Sequence, residues 1–208
     1  MPTPETHTPS SPADALIFVG HPRRDSFNGA LAEAYARGIR ASGKTAELIY
    51  LGDLQFDALA DPRHREESLE PDLVTAQEKI LGAAHLVFVF PTWWGSFPAV
   101  LKGFLDRCFL SGFAYRFEKG KALPVQLLKG RTGRILVTMD APTFYYRWFL
   151  GAPGVSAIRG ATLKFCGVKM LGTTLLGQIQ SRSPEQLARY LERGVADGKK
   201  DGLRIGRA

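Results

Sequence analysis

Two adjacent indoles and a glycine, Trp93-Trp94-Gly95, sit inside the run Phe90-Pro91-Thr92-Trp93-Trp94-Gly95-Ser96-Phe97-Pro98. Indole faces give a flat aromatic ligand planes to lie against, and a glycine leaves bare backbone N–H groups to bond its edge. The competing reading, two indoles plugging a core, fits poorly with so short a turn. A second run, Gly20-His21-Pro22-Arg23-Arg24-Asp25-Ser26-Phe27-Asn28-Gly29, gathers two arginines with small hydroxyl and amide side chains. Ser26 and Asn28 are good helix N-caps, and a polar loop at a helix N-terminus is the geometry of an anion site. The same side chains could cap the helix with no ligand. A third run, Met139-Asp140-Ala141-Pro142-Thr143-Phe144-Tyr145-Tyr146-Arg147-Trp148-Phe149, is aromatic again.

The elements around these runs say how they meet. Ala15-Leu16-Ile17-Phe18-Val19 precedes the first run, and His85-Leu86-Val87-Phe88-Val89-Phe90 leads into the tryptophans. Both are apolar throughout, as strands buried on two faces of a parallel sheet are. Arg134-Ile135-Leu136-Val137-Thr138 is a third such strand, feeding the aromatic run. Ala46-Glu47-Leu48-Ile49-Tyr50-Leu51 and the pair Val168-Lys169-Met170-Leu171, Thr174-Leu175-Leu176 complete five. Helical spacing predicts helices carrying Leu31, Ala34, Tyr35 and Ile39, then over about 73–84, 99–109 and 160–166, and last from Ser183 onward. Strands alternating with helices and joined by right-handed crossovers make a three-layer α/β sandwich. All three runs then lie at strand carboxyl ends, where open α/β sheets bind ligands. A phosphate-like loop beside two aromatic loops describes a ligand with a phosphate tail and a flat head. A flavin nucleotide fits that description best.

Other chemistries are excluded by spacing. Gly38-Ile39-Arg40-Ala41-Ser42-Gly43-Lys44-Thr45 has the letters of a P-loop, but it closes a helix and enters a strand, the inverse of the required order. Gly95-Ser96 lacks the elbow of a serine hydrolase. His21, His64 and His85 have no cysteine or acidic partner at ligand spacing, so no metal is expected. There is no G-x-G-x-x-G after the first strand. Two cysteines far apart, Cys108 and Cys166, argue for a reducing compartment, the cytoplasm, and against a disulfide framework.

The chain has 208 residues and a net charge of +7. No basic stretch interleaves with aromatics, so nucleic acid is not expected as a partner. The longest uncharged stretch, 86–101, is broken by Pro91, Gly95 and Pro98 and is too short to span a bilayer. Residues 1–13, rich in Pro, Thr and Ser without an apolar core, read as a disordered lead rather than a secretory signal. Residues 14–193 read as one domain and 194–208 as a basic tail. Residues 53–72 read as a polar surface excursion. The long insertion at 110–130 reads as a lid or a dimer contact.

Taken together, His21 with Ser26-Phe27-Asn28, and Phe90-Pro91, Trp94, Pro98-Ala99 and Leu101-Lys102-Gly103, resemble the flavodoxin-like NAD(P)H:quinone oxidoreductase family of the DT-diaphorase type. Gly112-Phe113-Ala114-Tyr115 and Phe165-Cys166-Gly167 extend the resemblance, which covers roughly residues 15–191. The resemblance implies a flavodoxin-like sandwich with strand order 2-1-3-4-5 and a homodimer with a flavin at each of two interface sites. It implies NAD(P)H as hydride donor and a quinone or similar two-electron acceptor, alternating at flavin N5. By the same analogy His21, Ser26, Phe27, Asn28 and Ala30 hold the phosphate side. Pro91, Thr92, Trp93, Trp94 and Gly95 flank the ring, Thr138 and Met139 approach its pyrimidine edge, and Tyr146 hydrogen-bonds near there. Trp94 and Tyr146 are the catalytic candidates, while Tyr115 and Phe117 would close the pocket from a partner subunit. Two departures stand out. The family's Thr-Thr-Gly-Gly run is Thr138-Met139-Asp140-Ala141 here, so Asp140 should point away or cap the loop. The arginine that contacts the adenine of FAD has no match in register, Arg189 lying one position off, which leaves FMN and FAD both open. A flavodoxin-type carrier and a non-catalytic flavin-binding subunit of a membrane transporter are the other readings of the same fold.

Overall fold

The computed structural model describes residues 12–59 and 69–206. In chain order the elements are β1 (Ala15–Val19), α1 (Phe27–Arg40), β2 (Ala46–Tyr50), α2 (Pro71–Gly82), β3 (His85–Pro91) and α3 (Ala99–Cys108). There follow the short β4 (Tyr115–Arg116) and β5 (Val125–Gln126), then β6 (Thr132–Thr138). Next comes α4 (Pro153–Ser156), which continues as a π-helical stretch (Ala157–Lys164), and then β7 (Lys169–Leu176) and α5 (Pro184–Gly202). The central sheet has the order β2-β1-β3-β6-β7, every pair parallel. With the main strands numbered alone this is 2-1-3-4-5, the flavodoxin-like order.

Alternation along the strands sorts side chains between two helical layers. Ala15, Ile17 and Val19 of β1 join Val87, Val89 and Leu136 under α1 and α5. Leu16 and Phe18 join Leu86, Phe88, Phe90, Ile135 and Val137 under α2 and α3. Phe18 stacks on Phe88 with ring centroids 4.8 Å apart. Such fully buried side chains each contribute about 1.5–3 kcal/mol, which is what fixes the strand ends and the loops they carry.

Helix ends follow local chemistry. Ser26 caps α1 by accepting from the Gly29 N–H. Gly43 takes a left-handed backbone (φ 81°) beyond that helix and turns the chain into β2, which removes the P-loop reading. Ser183 and Gln186 form a reciprocal capping box at α5.

Three expectations change. The basic tail is not separate, because α5 runs on to Gly202. Glycines at 194, 198 and 202 fall on one helix face and seat it on α1, where Gly38 faces back. A Cβ on Gly198 would collide with the Tyr35 carbonyl, and one on Gly38 with that of Val195. The helix expected at 160–166 starts instead at Pro153 and widens into π-helix, because Pro153 supplies a first helical position. The aromatic run contains a π-helical turn, Tyr145–Phe149. The insertion forms an antiparallel pair, β4 with β5, resting through Gln126 on the carbonyls of Lys164 and Phe165. His64 and most of the N-terminal lead lie outside the described residues, as does part of the polar excursion.

At the end of the sheet away from the three loops is a buried polar cluster. Tyr35 donates to Asp201 Oδ2 at 2.7 Å, and its hydroxyl lies 2.9 Å from His85 Nε2. His85 Nδ1 pairs with Thr132 Oγ1 at 2.8 Å. Arg134 grips Asp201 with two nitrogens and donates to Thr174, which in turn donates to Asp197. A bulge at Gly133/Arg134 and the bare Gly172 opposite give the guanidinium its space.

Candidate functional site

The carboxyl ends of β1, β3 and β6 bring three loops side by side. The first loop leaves β1 at Gly20, whose N–H donates to Val89 O at 2.8 Å and so ties it to β3. Within it, the His21 ring nitrogen accepts from the Arg23 N–H at 3.0 Å. Arg24 is committed elsewhere, paired with Asp53 and lying 4.3 Å over the Tyr50 ring. Ser26 spends a lone pair on the cap, which leaves its hydroxyl hydrogen to donate. The N–H groups of Phe27 and Asn28 have no acceptor among the described residues. That is an anion cradle at a helix N-terminus. The Ala30 N–H closes the first helical bond to Ser26 O, so only its exposed methyl faces outward.

The second loop is a tight turn. Trp93 N donates to Ser96 O at 3.2 Å and Ser96 N to Trp93 O at 2.9 Å. Trp94 (φ 50°) and Gly95 (φ 73°) are both left-handed between them, the signature of a type I′ turn. Trp94 is fully exposed and Trp93 is 45% exposed, so the indoles plug no core. The His21 ring meets Trp93 edge to face at 5.7 Å. The N–H groups of Trp94 and Gly95 donate to nothing among the described residues. Pro91 is buried as the last residue of β3.

The third loop is locked to the other two. Thr92 N donates to Thr138 O at 2.7 Å, and the Thr138 hydroxyl donates to Asn28 Oδ1 at 3.0 Å. That bond leaves the Asn28 amide N–H groups as donors. The Gly154 N–H reaches Gly95 O at 3.3 Å, and a Cβ on Gly154 would press on the Ser96 backbone. Met139 is buried in the core, and both of its backbone polar groups are paired, with Leu176 and Ile179. Thr138 and Met139 therefore position the loops rather than offer free groups. The Asp140 carboxylate turns to the opposite side and accepts from the Gln180 N–H at 3.0 Å, capping a turn after β7.

Two buried hydroxyls stand out where the second and third loops meet. Thr92 Oγ1 and Tyr146 OH lie close to each other, and neither makes a hydrogen bond of good geometry among the described residues. Burial pushes the Tyr146 phenol above its ordinary pKa, while the N–H groups of Val155 and Gly154 and the Thr92 hydroxyl beside it pull the other way. A buried hydroxyl without a partner costs about 1–3 kcal/mol and calls for an acceptor or donor from outside the chain. Orphaned hydroxyls, four free backbone N–H groups and two exposed indoles fit a flavin nucleotide, phosphate at the first loop and ring at the other two.

Tyr115 and Phe117 are not brought to this site within the chain. Tyr115 lines a cleft of about 480 Å³ with Asp106, Ser111 and Phe165, and that cleft contains no residue of the three loops. Its ring meets Phe165 edge to face at 5.0 Å. Among the described residues no His, Cys, Asp and Glu side chains gather to hold a metal, and no helix is long and apolar enough to cross a membrane. The sequence also gave no sign of a second cleft behind the third loop, lined by Arg147, Arg159 and Arg193. Those residues are 12 and 34 positions apart and come from three segments, so no local pattern joins them.

Comparison with known proteins adds four likenesses. A family model described as flavodoxin-like fold matches residues 13–196. NAD(P)H dehydrogenase (quinone) 1 of Cavia porcellus is 31% identical over 199 residues, covering 82% of this chain and 70% of the relative. Ribosyldihydronicotinamide dehydrogenase (quinone) of Mus musculus is 27% identical over 200 residues, covering 82% and 84%. Among solved structures, NAD(P)H:quinone oxidoreductase from Methanothermobacter marburgensis shares the fold with a TM-score of 0.75 at 24% identity, covering 90% of this chain and 98% of that one.

Proposed function

This chain belongs to the flavodoxin-like family, and we propose that it is a flavin-dependent NAD(P)H oxidoreductase that reduces quinones or similar acceptors by two electrons. The observation that carries the reading is the pair of orphaned hydroxyls, Thr92 Oγ1 and Tyr146 OH, beside the exposed Trp94-Gly95 turn. The relatives named as quinone dehydrogenases supply the reaction class. They favour an enzyme over an electron carrier or a transporter subunit.

A bound flavin, FMN or FAD, supplies hydride acceptance from NAD(P)H and delivery to the acceptor. The residues do the rest. Ser26, the Asn28 amide and the free N–H groups of Phe27 and Asn28 hold the phosphate, with His21 bracing their loop through Arg23. The free Trp94 and Gly95 N–H groups would hydrogen-bond the edge of the ring and stabilise charge there. Tyr146 and Thr92 would hydrogen-bond the ring where the second and third loops meet. Asn28 and Thr138, bonded to each other, keep phosphate loop and ring loops at one spacing. Trp93 and Trp94 leave an open face where donor and acceptor bind in turn. Tyr115 and Phe117 cover that face from a second copy in a homodimer, and the protein works in the cytoplasm.

The visible spectrum tests this directly. Purified protein should carry a flavin band that bleaches with anaerobic NADPH and returns on adding a quinone. A flavin band that NADPH leaves untouched rejects the enzyme, and no flavin after reconstitution with FMN and FAD rejects the site. Ser26→Ala with Asn28→Ala should lower flavin affinity about tenfold or more, by loss of charge-assisted hydrogen bonds, with the circular dichroism unchanged.

A further inference from the structure

Behind the third loop, against the free edge of the sheet, lies an open cleft of about 610 Å³. Arg147 reaches it from the loop, Arg159 from the π-helical stretch and Arg193 from α5. No Asp or Glu lines it. Four arginines of the chain pair with carboxylates, Arg24 with Asp53, Arg107 with Glu70, Arg116 with Glu118 and Arg134 with Asp201. These three have no such partner among the described residues. A second observation points the same way. Thr173 of β7 lines the cleft, and its hydroxyl is buried with no hydrogen-bond partner. Phe144 and Trp148 line it too, as exposed aromatic faces.

Three arginines lining one cleft that has no acidic residue in its walls, beside aromatic planes, are suited to a phosphate carried on a nucleoside. The phosphate on the flavin's ribityl chain would not reach here. It belongs to the loop after β1, three strand spacings from β7 in the sheet order, or about 14 Å. A ring held by the loops after β3 and β6 would lie between, with the cleft beyond it from the phosphate.

We propose that this cleft binds the phosphate-bearing adenosine of the hydride donor and gives the protein a preference for NADPH over NADH. The proposal rests on the oxidoreductase reading for the identity of the ligand, but not for the presence of an anion site. Arg147 adjoins Tyr146 and closes the cleft on the flavin side. Arg159 and Arg193 lie outside the three flavin loops and carry the selectivity.

The test uses flavin-loaded protein and two probes, adenosine 2′,5′-diphosphate and adenosine 5′-monophosphate, with binding followed by calorimetry. Wild type should bind the diphosphate about tenfold or more tightly than the monophosphate, as a charge-assisted contact to the added phosphate requires. Arg159→Gln with Arg193→Gln should abolish that difference. In turnover the same variant should raise KM for NADPH by a similar factor and leave kcat and the KM for NADH unchanged. Equal binding of the two probes to wild type overturns the proposal, and so does a preference that survives in the variant. If FAD outbinds FMN in wild type but not in the variant, the cleft holds the flavin's second phosphate and the proposal fails. Selective diphosphate binding without hydride transfer rejects the oxidoreductase reading and leaves the anion site standing, so the two failures are distinct.

Discussion

Trp94 holds a left-handed backbone with its indole wholly in solvent, which a side chain with a Cβ does at a cost of about 1–2 kcal/mol. The Trp93–Ser96 hydrogen bonds and the seat on Gly154 enforce it. A glycine there would relax the turn and lose the ring. Trp94→Gly should therefore raise the free energy of unfolding by about 1 kcal/mol in denaturant melts while weakening flavin retention in dialysis. Tyr146→Phe should behave likewise. Removing a buried unpartnered hydroxyl leaves the flavin-free protein as stable as wild type or more so, and lowers flavin affinity about three- to tenfold. A variant that loses stability and keeps its flavin would make either residue structural. The tryptophans were legible in the sequence because two indoles in a turn have few other uses. The orphaned state of Thr92 was not, since burial without a partner is a property of three dimensions.

Between elements, the closest approach is the α1–α5 seam. Alanine is the better helix former by about 1 kcal/mol, so Gly198→Ala would stabilise an isolated α5. In the protein its Cβ meets the Tyr35 carbonyl, and overpacking of that kind costs about 1–3 kcal/mol or more. The net result should be a lowered Tm, whereas Gly206→Ala, with open space around a terminal turn, tests only its left-handed backbone. The seam also shows where pattern reading stopped. Strands buried on both faces read as unbroken apolar runs, so β1, β3 and β6 were plain. Glycines four apart with lysines between read as a tail, because composition hides a periodicity of small residues. The two-residue strands β4 and β5 are too short to carry any pattern. The π-helical stretch has no 3.6-residue repeat to find.

At the scale of the whole molecule, His85, Tyr35, Asp201 and Arg134 join β3, α1, α5 and β6. Burial is the main cause that lowers the His85 pKa from 6.5 to about 4, with Arg134 acting in the same direction and Asp201 opposing both. The unfolded chain then binds a proton at mildly acidic pH that the folded chain refuses. Stability from this group is complete above about pH 6.5 and is lost as pH falls from 6.5 toward 4, by about 3 kcal/mol at most. Urea melts across that range should show the slope in wild type and a smaller one in His85→Gln. An unchanged slope in the variant would assign it to other groups.

The same cluster fixes when the protein can be finished. Arg134 is synthesised 67 residues before Asp201 and Tyr35 166 residues before it. A charge buried at one end of the sheet waits for its counter-ion until residue 201 has left the ribosome. Until then the β6 edge carries a guanidinium that cannot be buried without its carboxylate. The nascent chain can collapse early around β1 and β3, but its sheet closes late and as one unit. Pausing translation before residue 201 should hold the domain in a protease-sensitive form, and release should lock it.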